Sequence, residues 1–401
     1  MSDIKVAVNR LAVGIYVKLP LSWHQHPFLR SNFKITSASE LTILHNLGLE
    51  HVLVDPSKSD VPPLPPVSHR LSDLEQPIAV DTDRLTSEAK IQAQWERLDR
   101  QQRYEISLTQ AQTLYSQCLS QLNQLYQSPP KLDEIRSSAE PIVNNFWNTL
   151  AQTQEHIIHI IPSNDIANNL GAHCLNVTIL SMLLAQSAMR SKYEIKLIGQ
   201  AALFHDLGCL VTDKPKLHHA VRSSQMLTDA GINDHQLLNI INQHHEYLDG
   251  SGGPSKLIDE QIHPLAQLLS VANTFDNLCN QDDIKSPHIA LVTLTKHYKG
   301  KLNNNYIQLL SNEIGVYPPG TLLRLSDGQI ALVVAINQHQ LLYPFVQLIE
   351  QSQQPVFSLA DLNVEITEVL SSKELAQAKT ILPQAQRISF IPEAFDKVSI
   401  K

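Results

Sequence analysis

The spacing of apolar residues divides the chain into segments of three kinds. Short apolar runs at Ile4–Val8, Gly14–Lys18 and Val52–Val54 predict strands. Between the second and third run, Ser37 precedes a helically spaced apolar series that stops at Gly48, which is typical of a capped helix. Residues 1–60 are therefore predicted to form a small α+β domain.

The middle of the chain has the three- and four-residue spacing of helices. Residues 61–84, which begin with a proline run, predict a linker, and residues 85–161 predict a helical connector broken at Ser128–Pro130. The apolar stripe of this connector would serve either packing onto the next domain or dimerisation. Residues 162–312 predict an all-helical bundle. Its predicted helices cover 165–188, 193–206, 219–230, 234–245, 262–279 and 286–311.

Beyond Gly315 the pattern changes to strands. Residues 321–325 and 330–334 flank an Asp327-Gly328 turn, which is typical of a hairpin, and Val346–Ile349 predicts a third strand. Residues 313–401 are therefore predicted to be a β-rich module. The predicted fold class is mainly α: a helical bundle flanked by a small α+β domain and a small β-rich module.

Composition narrows the range of partners and the compartment. A formal net charge of -8 and a pI near 6.1 argue against binding to a nucleic-acid polymer or an anionic membrane. No apolar stretch reaches the ~20 residues of a membrane helix, and Met1–Lys5 does not resemble the start of a signal peptide. The four cysteines form no CxxC pair. We therefore expect a cytoplasmic protein with reduced thiols.

Two histidine clusters carry the candidate chemistry. His205-Asp206 lies before Gly208, and His244-His245 is followed by a glycine-rich segment that ends at Pro254. Such groups are costly to bury unless a cation organises them. Imidazoles bind iron, manganese and zinc well, and the Asp206 carboxylate could bridge two ions. Two bridged metals would lower the pKa of a shared water and stabilise an in-line phosphoryl displacement.

The motif His-Asp, followed downstream by His-His-Glu-x-x-Asp-Gly-x-Gly-x-Pro, resembles the HD-GYP domain over roughly residues 160–310. This branch of the HD superfamily hydrolyses cyclic di-GMP. Residues 4–55 are similar to the domain of unknown function that often precedes HD-GYP, and Tyr317–Val334 resembles the β tail that often follows it. The resemblance implies a phosphodiesterase that forms linear pGpG, GMP or both. It also implies diguanylate cyclase (GGDEF) proteins and a second copy of the chain as possible partners.

The resemblance also implies which residues act. It implies two divalent metals, Fe or Mn first and Zn, Ni or Mg as further options, with His205 and Asp206 as the catalytic pair. Asp249, Gly250 and Gly252 would contact the substrate, and His218 stays an alternative to His219 as a ligand. The implied ligands are His173, His205 and Asp206, with Asn273 as a weak addition, for the first metal, and Asp206, His219, His244 and His245 for the second.

The chain departs from the family pattern at several positions. Asn273 replaces a ligand aspartate, with Asp276 one turn along as a possible substitute, and Asn169 replaces a glutamate, which argues against a third metal. Cys209, interpreted as a small buried substitute, replaces a phosphate-binding lysine. Tyr247 and Gly253 replace an arginine and the GYP tyrosine. Two functions therefore stay open, a working phosphodiesterase and a degenerate protein that binds cyclic di-GMP or a protein partner. A metal-free polar core is the structural alternative.

Overall fold

The computed structural model confirms the predicted fold class, a helical bundle with an α+β domain before it and a β-rich module after it. Most of the predicted linker and Asn169 lie outside the described residues. The structure describes residues 3–21, 26, 28, 30–36, 38–47, 49–64, 106, 109–127, 131–152, 156–163, 170–211, 217–280, 286–337, 340–349, 356–362, 364–370 and 387–394.

The described residues of the N-terminal domain form an antiparallel sheet with one α-helix. Its strands lie in the order β1-β4-β2-β3, and β1 and β4 pair in the register Ile4 to Val54. Arg10 and Leu64 exchange two hydrogen bonds, so the described start of the proline-rich segment lies against this domain. The elements are β1 (Ile4–Ala7), β2 (Tyr16–Lys18), β3 (Asn32–Lys34), α1 (Ala38–Asn46) and β4 (His51–Val54).

The helical bundle encloses the largest hydrophobic core. Helix α2 (109–125) contributes six buried residues to the same core as the helices that follow, so its apolar stripe serves packing onto the next domain. The remaining helices are α3 (Leu132–Gln152), α4 (Leu170–Ser187), α5 (Lys192–Phe204), α6 (Leu217–Asp229), α7 (His235–Gln243), α8 (Pro264–Cys279), α9 (Pro287–His297) and α10 (Asn304–Ile314).

Helix α4 is the central helix of this core. Within the described residues it alone is long and apolar enough to cross a membrane, yet 83% of it is buried inside the protein. Burial on this scale is what a core helix shows, and its apolar composition follows from neighbours on all sides.

The prediction of one helix over 286–311 is wrong. The chain leaves α9 at Tyr298, turns at Gly300 with φ +79°, and begins α10 behind Asn303. The Asn303 side chain accepts a hydrogen bond from the Asn305 N–H and so caps α10. A glycine followed by an asparagine cap is a helix stop and start, and the sequence contains both signals.

The prediction that the helical connector continues to residue 161 is also wrong. Residues His156–Ser163 form β5, which pairs antiparallel with β11 (Arg387–Ala394) from the far end of the chain. The partner strand is more than 200 residues away in sequence, so local periodicity did not indicate this pairing.

The described residues of the C-terminal module form a five-stranded antiparallel sheet in the order β10-β6-β7-β8-β9, and Asp327-Gly328 makes the predicted turn between β6 and β7. Its buried face joins the N-terminal domain in one hydrophobic core, where Ile15 and Leu47 pack in the same cluster as Leu323 and Val346. The strands are β6 (Leu322–Leu325), β7 (Ile330–Ala335), β8 (Phe345–Leu348), β9 (Val356–Ser358) and β10 (Ile366–Leu370).

Candidate metal centre

Four helix ends bring the predicted ligands together. His173 lies near the start of α4 and His219 near the start of α6. His205 and His244 directly follow the last residues of α5 and α7, and Asp206 and His245 come one residue later. The structure places these six side chains in two groups that share Asp206, one with His173 and His205 and one with His219, His244 and His245.

The Nε2 atoms of the histidines converge on the Asp206 carboxylate. His219 Nε2 lies 2.9 Å from Asp206 Oδ1, and His205 and His244 lie at 3.5 and 3.6 Å from the same atom. His173 Nε2 lies 3.5 Å from Oδ2. Within each group the ligand atoms are within 4.8 Å of one another, which is the spacing expected around a single ion.

The opposite ring nitrogens are anchored by acceptors. His205 Nδ1 donates to the Ala202 carbonyl at 2.8 Å, and His244 Nδ1 donates to the Ile241 carbonyl at 2.6 Å. A carbonyl can only accept, so each Nδ1 carries the proton, and in the neutral ring Nε2 presents its lone pair. This is the arrangement that holds metal-ligating histidines in other proteins.

The converging lone pairs test whether the residues fit a cation. His173 Nε2 and His205 Nε2 lie 3.2 Å apart, and His219 Nε2 lies 3.3 Å from His244 Nε2 and 3.0 Å from His245 Nε2. Asp206 Oδ1 is buried and receives no hydrogen bond of good geometry from the described residues. His173 and His205 both carry their proton on Nδ1, so their Nε2 atoms are two acceptors, and acceptors this close repel one another in a buried site unless a cation lies between them. The donor set therefore fits divalent metal ions.

Burial and neighbouring charges shift the pKa values of the ligand groups. Burial lowers the pKa of His205 to about 3 and, together with the adjacent His244 and His219 rings, lowers that of His245 to about 2. Burial alone would raise the pKa of Asp206, but the surrounding imidazoles outweigh it and hold that pKa well below its ordinary value. His205 and His245 are therefore neutral and Asp206 is anionic at pH 7, which are the forms that bind metal.

Backbone contacts lock the ligand-bearing segments to each other. Ser223 Oγ donates to the His205 carbonyl and accepts from the Gly208 N–H, both at 2.8 Å. A Cβ atom at Gly208 would collide with the His219 carbonyl and the Ser223 nitrogen, so only glycine allows α6 to approach this closely. The Ser270 hydroxyl donates to the His244 carbonyl, which ties α7 to α8.

Asp276 accepts a hydrogen bond from the His173 ring on the side away from the centre, so the expectation that it replaces Asn273 as a ligand is wrong. Its Oδ2 accepts from His173 Nδ1 at 2.7 Å, and its Oδ1 accepts from Asn176 Nδ2 at 2.7 Å. Asp276 therefore directs the free Nε2 of His173 toward the centre. Asn273 is buried, and its Oδ1 accepts from Asn277 Nδ2 at 2.7 Å, so this oxygen is engaged within α8. Asn176, which shares the Asp276 carboxylate, belongs to no motif in the sequence and was not predicted.

The loop after His245 is held by local hydrogen bonds. The exposed Asp249 carboxylate accepts from the N–H and the hydroxyl of Ser251. Gly250 has φ +74°, and a Cβ at Gly252 would collide with the backbone of Tyr247 and His245. These contacts give all three residues a role in shaping the loop, and their contact with substrate stays a prediction.

Two further positions bear on the departures from the family pattern. Cys209 is exposed, so its interpretation as a buried substitute is wrong. Its thiol is nonetheless partly enclosed by protein, and this desolvation, together with the Asp206 carboxylate, raises the pKa of Cys209 to about 12. It is therefore an uncharged thiol at neutral pH.

The centre of the Tyr247 ring lies 6.2 Å from the centre of the Tyr298 ring, and Lys301 Nζ lies 5.7 Å above the Tyr247 ring. The side chain of His218 lies outside the described residues, whereas His219 is in the ligand group.

Two domain families match the chain. The domain of unknown function DUF3391 matches residues 3–129, and the HD domain matches residues 214–300. The first match runs past the predicted boundary at residue 60 and includes α2. The second covers His219, His244 and His245, whereas His173, His205 and Asp206 precede it.

Two curated relatives are both named as cyclic di-GMP phosphodiesterases. PA4108 of Pseudomonas aeruginosa is 23% identical over 366 residues, which are 86% of this chain and 84% of the relative. PdeB of Borreliella burgdorferi is 21% identical over 233 residues, 52% of this chain and 61% of the relative. A solved structure of Bd1817, a HDG"Y"P protein from Bdellovibrio bacteriovorus, is distantly similar, with a TM-score of 0.43 and 17% identity over 78% of this chain and 99% of that one.

Proposed function

Because the chain belongs to the HD-domain proteins with an N-terminal DUF3391 domain, as its HD-GYP resemblance predicted, we propose that it is a metal-dependent phosphodiesterase that hydrolyses cyclic di-GMP. One observation carries the proposal: five histidine side chains and one shared carboxylate converge in two groups of metal-ligand spacing. The names of the two relatives support the substrate.

The proposed centre holds two divalent ions, Fe or Mn. His173, His205 and Asp206 would hold the first, and Asp206, His219, His244 and His245 would hold the second. When bound, such a pair supplies an activated water and stabilises the oxygens of a phosphoryl group during in-line displacement. The proposed products are linear pGpG, GMP or both.

The chain's own residues prepare the site for this chemistry. The carbonyls of Ala202 and Ile241 keep the protons of His205 and His244 on Nδ1, so their Nε2 atoms stay available. Asp206 supplies the anionic charge that both ligand groups share. These side chains are ordered by helix ends and by Ser223 and Ser270, so little reorganisation is needed when substrate binds.

A degenerate binding protein is the second candidate, and two observations favour it. Cys209 is an uncharged thiol where the family pattern has a lysine, and the Asn273 oxygen is engaged by Asn277 where the pattern has a ligand carboxylate. Both substitutions remove charge that would act on phosphate or on the first metal. Loss of a single preorganised group of this kind elsewhere costs about 3–4 kcal/mol of transition-state stabilisation.

Turnover distinguishes the two candidates. The protein is purified anaerobically, loaded with Mn(II) or Fe(II) and incubated with cyclic di-GMP, and the products are separated by chromatography. His205→Ala and Asp206→Ala serve as controls, with circular dichroism to verify folding. Product from the parent but not from the controls supports the phosphodiesterase. A folded, metal-loaded parent that forms no product contradicts it, and binding of cyclic di-GMP is then measured by calorimetry. A diguanylate cyclase partner and a homodimer stay predictions.

A further inference from the structure

Tyr115 of α2 and Tyr126, the first residue after it, contact the helices α4 and α5, which carry predicted metal ligands. The buried Tyr115 hydroxyl lies 3.1 Å from Asn176 Oδ1 in α4, and the Tyr126 hydroxyl, directly after α2, contacts the Leu203 carbonyl in α5. Because 11 residues are close to three helical turns, both tyrosines lie on one face of α2. This helix belongs to the segment that matches DUF3391, and the ligands lie outside that match.

A series of hydrogen bonds leads from Tyr115 to His173, and the chemical nature of each group determines which one donates. The Asp276 carboxylate accepts from both His173 Nδ1 and Asn176 Nδ2, each at 2.7 Å. A carboxylate accepts only, so the Asn176 NH₂ group must face it. The Asn176 oxygen then faces Tyr115, and the Tyr115 hydroxyl must donate. Every proton in this series of hydrogen bonds therefore points toward Asp276, and the His173 proton is held on Nδ1.

All four side chains that form this series of hydrogen bonds are buried, so the loss of one bond is costly. Asn176 and Asp276 are 0% exposed, and His173 is 7% exposed. Water therefore has little access to replace a lost donor, and a missing Tyr115 hydroxyl would leave the Asn176 oxygen with one donor fewer. Rotation of the amide offers no remedy, since it would place the Asn176 oxygen against the Asp276 carboxylate.

We propose that Tyr115 is a positioning residue of the metal centre, which acts through Asn176 and Asp276 to orient His173. The inference deepens the proposed function, since it concerns the first of the two proposed metal ions. Its consequence is that the DUF3391 segment reaches the centre through α2, so a displacement of α2 would change how tightly the first metal is held. This is a route by which the N-terminal domain could control the HD domain.

The effect is expected to be asymmetric between the two ligand groups. The α2 contacts lead to α4 and α5, which carry His173 and His205. In the second group, the described supports of His244 come from the Ile241 carbonyl and Ser270, neither of which is in α2. Loss of the Tyr115 hydroxyl should therefore weaken the first metal site and leave the second unchanged.

The test is Tyr115→Phe, which removes the hydroxyl and keeps the ring. Mn(II) affinities of both sites are measured by competition with a chelator, without substrate. We expect the first site to weaken about fivefold, as for loss of one buried hydrogen bond. Asp276→Asn should weaken it about 10–100-fold, as for loss of a direct partner of a ligand histidine. Tyr306→Phe is the matched control, since Tyr306 is also a buried tyrosine but its hydroxyl accepts from Arg190 instead.

A second readout does not need metal. The ¹⁵N resonances of the His173 ring, recorded in the metal-free protein, should shift in Tyr115→Phe and stay in place in Tyr306→Phe. Unchanged His173 resonances in Tyr115→Phe would overturn the proposal, as would an unchanged first-site affinity beside a weakened Asp276→Asn. If the parent binds no metal, the proposed function fails, and the His173 resonances alone decide about Tyr115.

Discussion

Glu246 directly follows His244 and His245 after α7, and its side chain holds the loop that comes next. It is 2% exposed, and its two carboxylate oxygens accept the backbone N–H groups of Ser255 at 2.5 Å and Leu257 at 3.0 Å. Each oxygen thus satisfies one N–H group of the loop. Replacement by glutamine keeps the size of the side chain but leaves only one oxygen, and the NH₂ group then faces the second N–H.

The cost of Glu246→Gln follows from these two bonds. A hydrogen bond to a charged group contributes about 1.5–3 kcal/mol, and an unsatisfied buried donor costs a similar amount, so we expect a loss of about 3 kcal/mol in the free energy of unfolding. For a domain of 150–250 residues this lowers the melting temperature by about 6–12 °C. Calorimetry in the presence of a chelator measures the shift without a contribution from metal binding.

Glu194→Gln is the matched control for this change. The Glu194 carboxylate also accepts a backbone N–H, from Ser191, but it lies at the solvent-exposed start of α5, where glutamine can complete the same capping box. We expect a shift of about 2 °C or less, because such surface changes stay within about 0.5 kcal/mol. If Glu246→Gln shifts the melting temperature no more than Glu194→Gln does, Glu246 does not hold the loop.

Three further predictions concern the ligand framework. In the folded protein the pKa of His205 is lowered from 6.5 to about 3, so below pH 6.5 only the unfolded chain gains this proton. The metal-free protein should therefore lose about 1.4 kcal/mol of stability per pH unit from this group as pH falls from 6.5 toward 3. Urea unfolding measures this slope, and a flat profile would contradict it. Gly208→Ala should lower the free energy of unfolding by about 1–3 kcal/mol and weaken Mn(II) binding, since the new methyl group collides with the backbone that carries His219. Unchanged stability and affinity would contradict this contact. Free Mn(II) at 100 times the Kd of each site should stabilise the parent by about 2.7 kcal/mol per bound ion in thermal unfolding, and His205→Ala should lose the gain from the first ion; equal gains would exclude His205 as a ligand.

The helix periodicity predicted the bundle, because that signal is local in sequence. The family resemblance, which the long double motif carries, implied the six residues that converge on Asp206. The break between α9 and α10 was equally local, since Gly300 and Asn303 mark it, and it was missed because the apolar spacing continues across the break. The β5–β11 pair is different. Its two strands are joined only by tertiary contacts, and neither segment has a pattern that names the other.

The supporting residues of the metal centre show the same limit. From its spacing Asp276 was considered a substitute ligand for Asn273, but its hydrogen bond to His173 Nδ1 shows that it orients that ring instead. Asn176 and Tyr115 are unremarkable residues within helical patterns, and only the packing of α2 against α4 gives them a shared role. The joint core of the N-terminal domain and the C-terminal module likewise depends on packing between segments that are far apart in the chain.

Anomalous X-ray diffraction from crystals loaded with Mn(II) tests the central claim most directly. The dinuclear centre predicts two anomalous peaks, one on each side of the Asp206 carboxylate, the first next to His173 and His205 and the second next to His219, His244 and His245. Absence of both peaks from a folded, Mn(II)-saturated protein, or peaks only at positions remote from Asp206, would contradict the metal centre and with it the proposed phosphodiesterase.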